Sequence, residues 1–224
     1  SHMIPVKICG ITRVEDAVLA ADLGATWIGF VFWPRSPRCV TPAAAADILA
    51  AMPPQVTGVG VFVDQPPDDV AATAAQVGLG AVQLHGDETP TQYVVGGRRV
   101  IKALRLSADS TAAAVDTVWP GATLLLDAFD PVRMGGTGRR VDWTVASAIA
   151  RRRPTILSGG LRPENVHEAV GRVAPYALDV SSGVEAEPGI KDPARMRSFF
   201  DAVRGAPPSH PQGSGVESTT GAES

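Results

Sequence analysis

Short runs rich in β-branched and aliphatic residues alternate eight times with Ala-rich segments along this chain. That alternation limits the fold more than any other feature. The strand-like runs fall at 5–9, 27–32, 58–63, 81–85, 100–104, 123–127, 155–158 and 177–180. Segments of helix-forming composition lie near 14–23, 42–51, 67–77, 88–95, 107–117, 143–151, 163–172 and 192–203. Thr41-Pro42 and Asp192-Pro193 each place a capping side chain before a first-turn proline, and Ser107 reads as a cap of the same kind. Strands that alternate with helices build parallel sheets. Eight such units in about 200 residues predict an α/β fold, a closed (β/α)8 TIM barrel whose eight parallel strands are surrounded by helices. The alternative is an open doubly wound sheet, which usually carries a Gly-x-Gly-x-x-Gly turn after its first strand. Cys9-Gly10-Ile11-Thr12-Arg13 is not that turn.

In a barrel of this kind the active site lies at the C-terminal ends of the strands. Those ends are polar here: Cys9, His85, Asp127, the turn Ser158-Gly159-Gly160, and Asp179 running into Ser181-Ser182-Gly183. Strand periodicity assigns faces. Lys7 and Cys9 point into the barrel while Val6 and Ile8 face the helices. Gln83 and His85 point inward, as do Leu125 and Asp127. A lysine inside a barrel demands a partner. Closure makes the first and last strands neighbours, so a Lys7–Asp179 ion pair is expected. A lone cysteine is more often inert packing than chemistry, but at this rim Cys9 is a candidate nucleophile or base. His85 reads equally as a rim histidine that satisfies its neighbours.

The loops after strands seven and eight of this fold often hold a phosphate. Two small-residue turns stand there, and glycine lets backbone N–H groups come close to a ligand. Gly159, Gly160, Ser181, Ser182 and Gly183 are therefore the candidate phosphate site. The loop after strand two, Trp33-Pro34-Arg35-Ser36-Pro37-Arg38-Cys39, carries two arginines suited to a carboxylate or phosphate; a solvated basic loop is the plainer reading. The Gly-rich segment 128–142 is long for a compact domain and reads as a lid.

With 224 residues and 45% hydrophobic content, the chain can bury one substantial core. It is read as a single catalytic domain over 4–205, a tag remnant at 1–3, and a disordered tail at 206–224 whose Pro-, Gly- and Ser-rich sequence has little to bury. A net charge of −3 offers no basic footprint for nucleic acid, and no apolar run approaches the ~20 residues of a membrane span. Two cysteines and no recognisable secretion signal point to the reducing cytoplasm, with a Cys9–Cys39 disulfide as the disfavoured alternative. No dimer motif appears, so a monomer is expected, a homodimer being the alternative.

Taken together, these segments resemble the phosphoribosylanthranilate isomerase family of tryptophan biosynthesis. The resemblance runs through Lys7-Ile8-Cys9-Gly10-Ile11-Thr12, Gly29-Phe30-Val31-Phe32, Gly60-Val61-Phe62-Val63 and Val82-Gln83-Leu84-His85-Gly86. It continues through Leu124-Leu125-Leu126-Asp127, Gly135-Gly136-Thr137-Gly138, Leu157-Ser158-Gly159-Gly160-Leu161 with Pro163-Glu164-Asn165-Val166, and Asp179-Val180-Ser181-Ser182-Gly183-Val184-Glu185, in family order over roughly 5–204. It implies an Amadori rearrangement of a small phosphorylated substrate, N-(5′-phosphoribosyl)anthranilate, with no cofactor and no metal. Cys9 matches the family's general base, Asp127 its general acid, and Arg38 the arginine that meets the anthranilate carboxylate. The two turns match its phosphate site. Lys7, Asp179, Gln83 and His85 would support them, Lys7 by favouring the Cys9 thiolate. A histidine-pathway sugar isomerase shares the barrel and the phosphate turns but ends its first strand in aspartate, which Cys9 argues against. An idle phosphate-ligand binder would not require both Cys9 and Asp127.

Overall fold

The computed structural model describes residues 3–93, 97–107, 109–128 and 143–207. The expected lid, apart from Ala128, and the tail beyond Pro207 lie outside the described residues. All eight expected strands form: β1 (Val6–Ile8), β2 (Trp27–Val31), β3 (Thr57–Phe62), β4 (Ala81–Leu84), β5 (Arg99–Arg105), β6 (Thr123–Asp127), β7 (Thr155–Ser158) and β8 (Ala177–Val180). They pair in chain order and β1 closes on β8, every pairing parallel. The helices are α1 (Val14–Leu23), α2 (Pro42–Ala50), α3 (Pro67–Val77), α4 (Ala112–Val115), α5 (Trp143–Ala150), α6 (Val166–Val173) and α7 (Pro193–Arg204). Between β8 and α7 lie a one-turn 3-10 helix, Ser182–Val184, and an antiparallel hairpin of β9 (Glu185–Glu187) and β10 (Ile190–Lys191).

The strand alternation sorts the buried residues into two layers. Val6, Ile8, Val82, Leu84, Leu124 and Leu126 pack outward under the helices. Val59, Ala81, Ile101, Ala103, Leu125, Ile156 and Ala177 fill the barrel. The inner layer plugs the lower barrel and leaves the polar residues at the upper strand ends.

Two expected helices differ. Of the 88–95 segment, residues 90–92 form a turn and 88, 89 and 93 have no regular structure, so no helix forms over 88–93. Pro90 disfavours helical backbone at Thr89, and Glu88 is recruited into tertiary contacts. Its Oε1 accepts from Lys102 Nζ at 3.0 Å and its Oε2 accepts from the Asp64 N–H at 2.9 Å. The 107–117 segment shrinks to the single turn of α4, capped by Thr111, whose hydroxyl accepts from the Ala114 N–H. Ser107 is not a cap: its N–H donates to Ser110 Oγ at 2.9 Å, a local bond that competes with helix formation.

Candidate active site

Lys7 is fully buried, and register places it beside Asp179. Its Nζ donates to Asp179 Oδ1 at 2.9 Å and to Gln83 Oε1 at 2.7 Å. The expected ion pair is therefore present, with an amide completing it. Asp179 Oδ2 accepts from Ser158 Oγ at 2.7 Å, so the pair links β1, β4, β7 and β8 across the barrel. Burial by itself would push the Lys7 ammonium down. The charges of Asp179 and Cys9 and the hydrogen bonds to them outweigh burial and carry it above its ordinary value.

The same network sets the state of His85. Gln83 spends its oxygen on Lys7, which turns its amide N–H toward His85 Nε2, the hydrogen-bond partner. Nε2 must then accept, so the ring is neutral with its proton on Nδ1. Crowding by protein atoms and then the charge of Lys7 push the imidazole down to about 4. Part of the ring is open to solvent at the rim. The open edge screens such effects, so the hydrogen-bond geometry carries the assignment of a neutral ring.

Cys9 directly follows β1, with its N–H bonded to the Val180 carbonyl at 2.9 Å. It is buried and unpaired, as Cys39 is free and exposed. Cations surround it. The charge of Cys9 acts favourably on Lys7, Arg38 and Lys191 alike. Arg38 runs alongside Gly10, where an added Cβ would lie 2.6 Å from Arg38 Cδ and 3.0 Å from Ser181 Oγ. Cys9, Arg38 and the turn at Ser181 thus converge on one corner. The Arg38 guanidinium is already gripped by Glu185, with Nε 2.9 Å from Oε2 and Nη2 on Oε1. That forked pairing fixes the plane of the Arg38 guanidinium.

Asp127 stands across the rim at the end of β6, half-buried, and Arg105 Nε approaches its Oδ2 to 3.9 Å. The Arg105 side chain is 73% exposed, so water screens its pull on Asp127. β7 and β8 separate Asp127 from Cys9, which leaves the barrel mouth between the two side chains.

The two small-residue turns pack directly on each other. Gly159 and Gly160 both take left-handed backbone (φ 93° and 65°) that other residues rarely adopt. Asn165 pins that loop: its Oδ1 accepts from the Arg162 N–H and its Nδ2 donates to the Gly160 carbonyl, both at 2.9 Å. A Cβ at Gly183 would lie 1.8 Å from the Leu161 carbonyl oxygen, so no larger residue fits where the turns meet.

The sequence alone gives no role to Lys191, and none to Asn165 or Glu185 beyond their places in motifs. The Pro188-Gly189 turn signal marks the hairpin that brings Glu185 and Lys191 back under β1. Their charge makes them look like surface residues in the bare sequence.

A thiol and a carboxyl group facing each other across the mouth of a (β/α)8 barrel, beside two interlocked small-residue turns, suit a sugar-phosphate isomerase. Residues 6–202 match the family model for N-(5′-phosphoribosyl)anthranilate isomerase. The N-(5′-phosphoribosyl)anthranilate isomerase of Geobacter sulfurreducens is 49% identical over 91% of this chain and all of its own. That of Citrifermentans bemidjiense is 50% identical over 88% and 96%. The solved Thermotoga maritima phosphoribosylanthranilate isomerase superimposes with a TM-score of 0.83 at 41% identity, covering 91% of this chain and 100% of its own. A phosphoribosylanthranilate isomerase in complex with reduced 1-(o-carboxyphenylamino)-1-deoxyribulose 5-phosphate gives 0.81 at 40%, with the same coverage. The chain belongs to the N-(5′-phosphoribosyl)anthranilate isomerase family.

Proposed function

We propose that this chain isomerises N-(5′-phosphoribosyl)anthranilate to 1-(o-carboxyphenylamino)-1-deoxyribulose 5-phosphate, with Cys9 as general base and Asp127 as general acid. The observation that carries the assignment of roles is the placement of these two groups at strand ends across the barrel mouth, with Lys7, Arg38 and Lys191 all acting on Cys9. Asp127 gives its proton to the furanose ring oxygen, and the C1′–O bond breaks to leave an iminium. That cation acidifies the C2′ proton, which the Cys9 thiolate removes. The resulting enol-amine tautomerises to the ketone, so the hydrogen lost from C2′ is balanced by one gained at C1′ and nothing outside the substrate is oxidised. Arg38, held in plane by Glu185, meets the anthranilate carboxylate. The backbone of Gly159, Gly160 and Gly183 with Ser181 and Ser182 cradles the phosphate. Lys7, Asp179, Gln83 and neutral His85 hold the floor of the site.

A coupled assay tests the reading. Phosphoribosylanthranilate is generated in place and its anthranilate fluorescence followed. Catalysed loss of the signal is expected, while a signal that decays only at the enzyme-free rate would sink the assignment. The phosphate cradle has its own test in Gly183→Ala. Its Cβ must drive the two turns apart, and misplacement on the order of 1 Å can cost about 100-fold. A fall in kcat/KM of that size, mostly through KM, is expected. Unchanged kinetics would remove the cradle from this place.

The barrel over 4–205 is the catalytic unit in this proposal, acting as a monomer in the reducing cytoplasm. Two free thiols support that compartment. Among the described residues, no helix is long and apolar enough to cross a membrane.

A further inference from the structure

The Lys191 side chain is fully buried and nothing in the reaction above uses it. Its ammonium makes three contacts, and each leads to a different part of the site. It donates to the Cys9 carbonyl at 2.6 Å, to the Ser181 carbonyl at 3.2 Å, and to Glu185 Oε2 at 3.3 Å. Cys9 carries the base, Ser181 opens the phosphate turn, and Glu185 grips Arg38. The backbone of Lys191 is itself fixed, its N–H donating to Asp16 Oδ2 at 3.0 Å.

Holding an ammonium here is costly. Burial pushes Lys191 below its ordinary lysine value despite Glu185 and Cys9 pulling it up. Glu185 would likewise be raised by burial, yet Arg38 and Lys191 hold it below the usual carboxylate range. A leucine or methionine would fill the same space without that cost. The clamp therefore has a use beyond packing.

We propose that Lys191 is a positioning residue for the isomerisation, its buried ammonium tying the backbone of Cys9 to the phosphate turn and, through Glu185, to Arg38, while its charge favours the Cys9 thiolate. This rests on the assignment of Cys9 as base. It requires no contact between Lys191 and substrate.

The test uses the full chain in a Cys39→Ser background, so that iodoacetamide reports Cys9 alone. In Lys191→Met, the pH profile of Cys9 alkylation is expected to move up by about one unit, with kcat down about tenfold at neutral pH and KM little changed. Lys191→Arg, which keeps the charge, should leave the profile near its original position. If Lys191→Met does not fold, Lys191→Gln keeps a donor for the Cys9 carbonyl without the charge and should show the same upward shift. An unmoved alkylation profile in a folded neutral variant overturns the proposal, whatever happens to thermal stability. Cys9→Ser with undiminished turnover overturns the base assignment beneath it, and is read independently.

Discussion

Asp127→Asn is expected to lower kcat by about 100-fold or more, and Cys9→Ser by at least as much, since a placed acid or base is normally worth that factor. Both substitutions are close to isosteric, so neither should disturb the barrel. Asp127 is half-buried at the end of β6, and its backbone carbonyl, which accepts from the Leu106 N–H at 2.9 Å, is untouched by the change. Asparagine keeps the shape and loses the transferable proton. Serine keeps a hydrogen-bonding atom at position 9 but supplies an alkoxide too basic to form there. The roles also predict an asymmetry. Ring opening precedes deprotonation, so with Asp127→Asn no iminium forms and Cys9 has nothing to act upon. The double variant should then be little worse than the worse single one, because groups that act as a unit are non-additive. Turnover by the fluorescence assay, with KM within a few-fold, checks this. A loss of only two- or threefold in either single variant would remove that residue from the chemistry.

The eight strands were legible because a parallel strand covered on both faces leaves a short, nearly continuous apolar run. The Lys7–Asp179 pair was legible for a related reason. In a closed barrel the first and last strands must meet, and alternation then leaves few inward positions at any level. The 88–95 segment was misread because Glu88 is consumed by Lys102 and Asp64, partners that no local pattern announces. Lys191 was hidden in a deeper sense. It belongs to a charged stretch beyond β8, where composition points to solvent. Only the turn at Pro188-Gly189 and the pairing of Lys191 with Glu185 carry it back beneath Cys9. The proposed catalytic groups sit on the regular skeleton and can be counted off it. Their electrostatic supports came from an irregular excursion and could not.

Asp179→Ala should be the most destabilising single change in the barrel interior, by about 3–5 kcal/mol, the usual cost of stripping one partner from a buried pair. The Lys7 side chain is fully buried and Asp179 is its only carboxylate partner among the described ion pairs. Without it, Gln83 remains as a neutral acceptor, and Ser158 Oγ loses its own acceptor as well. Adding Lys7→Met to Asp179→Ala removes the orphaned charge. The double variant should then recover a large part of the loss, although Gln83 and Ser158 stay unsatisfied. Asp179→Asn separates charge from shape and should fall between the wild type and alanine. The sign with pH follows from Lys7. Its pKa is raised above the ordinary 10.5, so its contribution is fully present below that value and is lost only as pH rises through the raised folded one. The Lys7 side of the pair thus gives no pH dependence across neutrality. Urea unfolding with an unchanged slope measures the difference. A cost below about 1 kcal/mol for Asp179→Ala, typical of an exposed pair, would mean that water reaches Lys7 and that the barrel floor is wetter than its packing indicates.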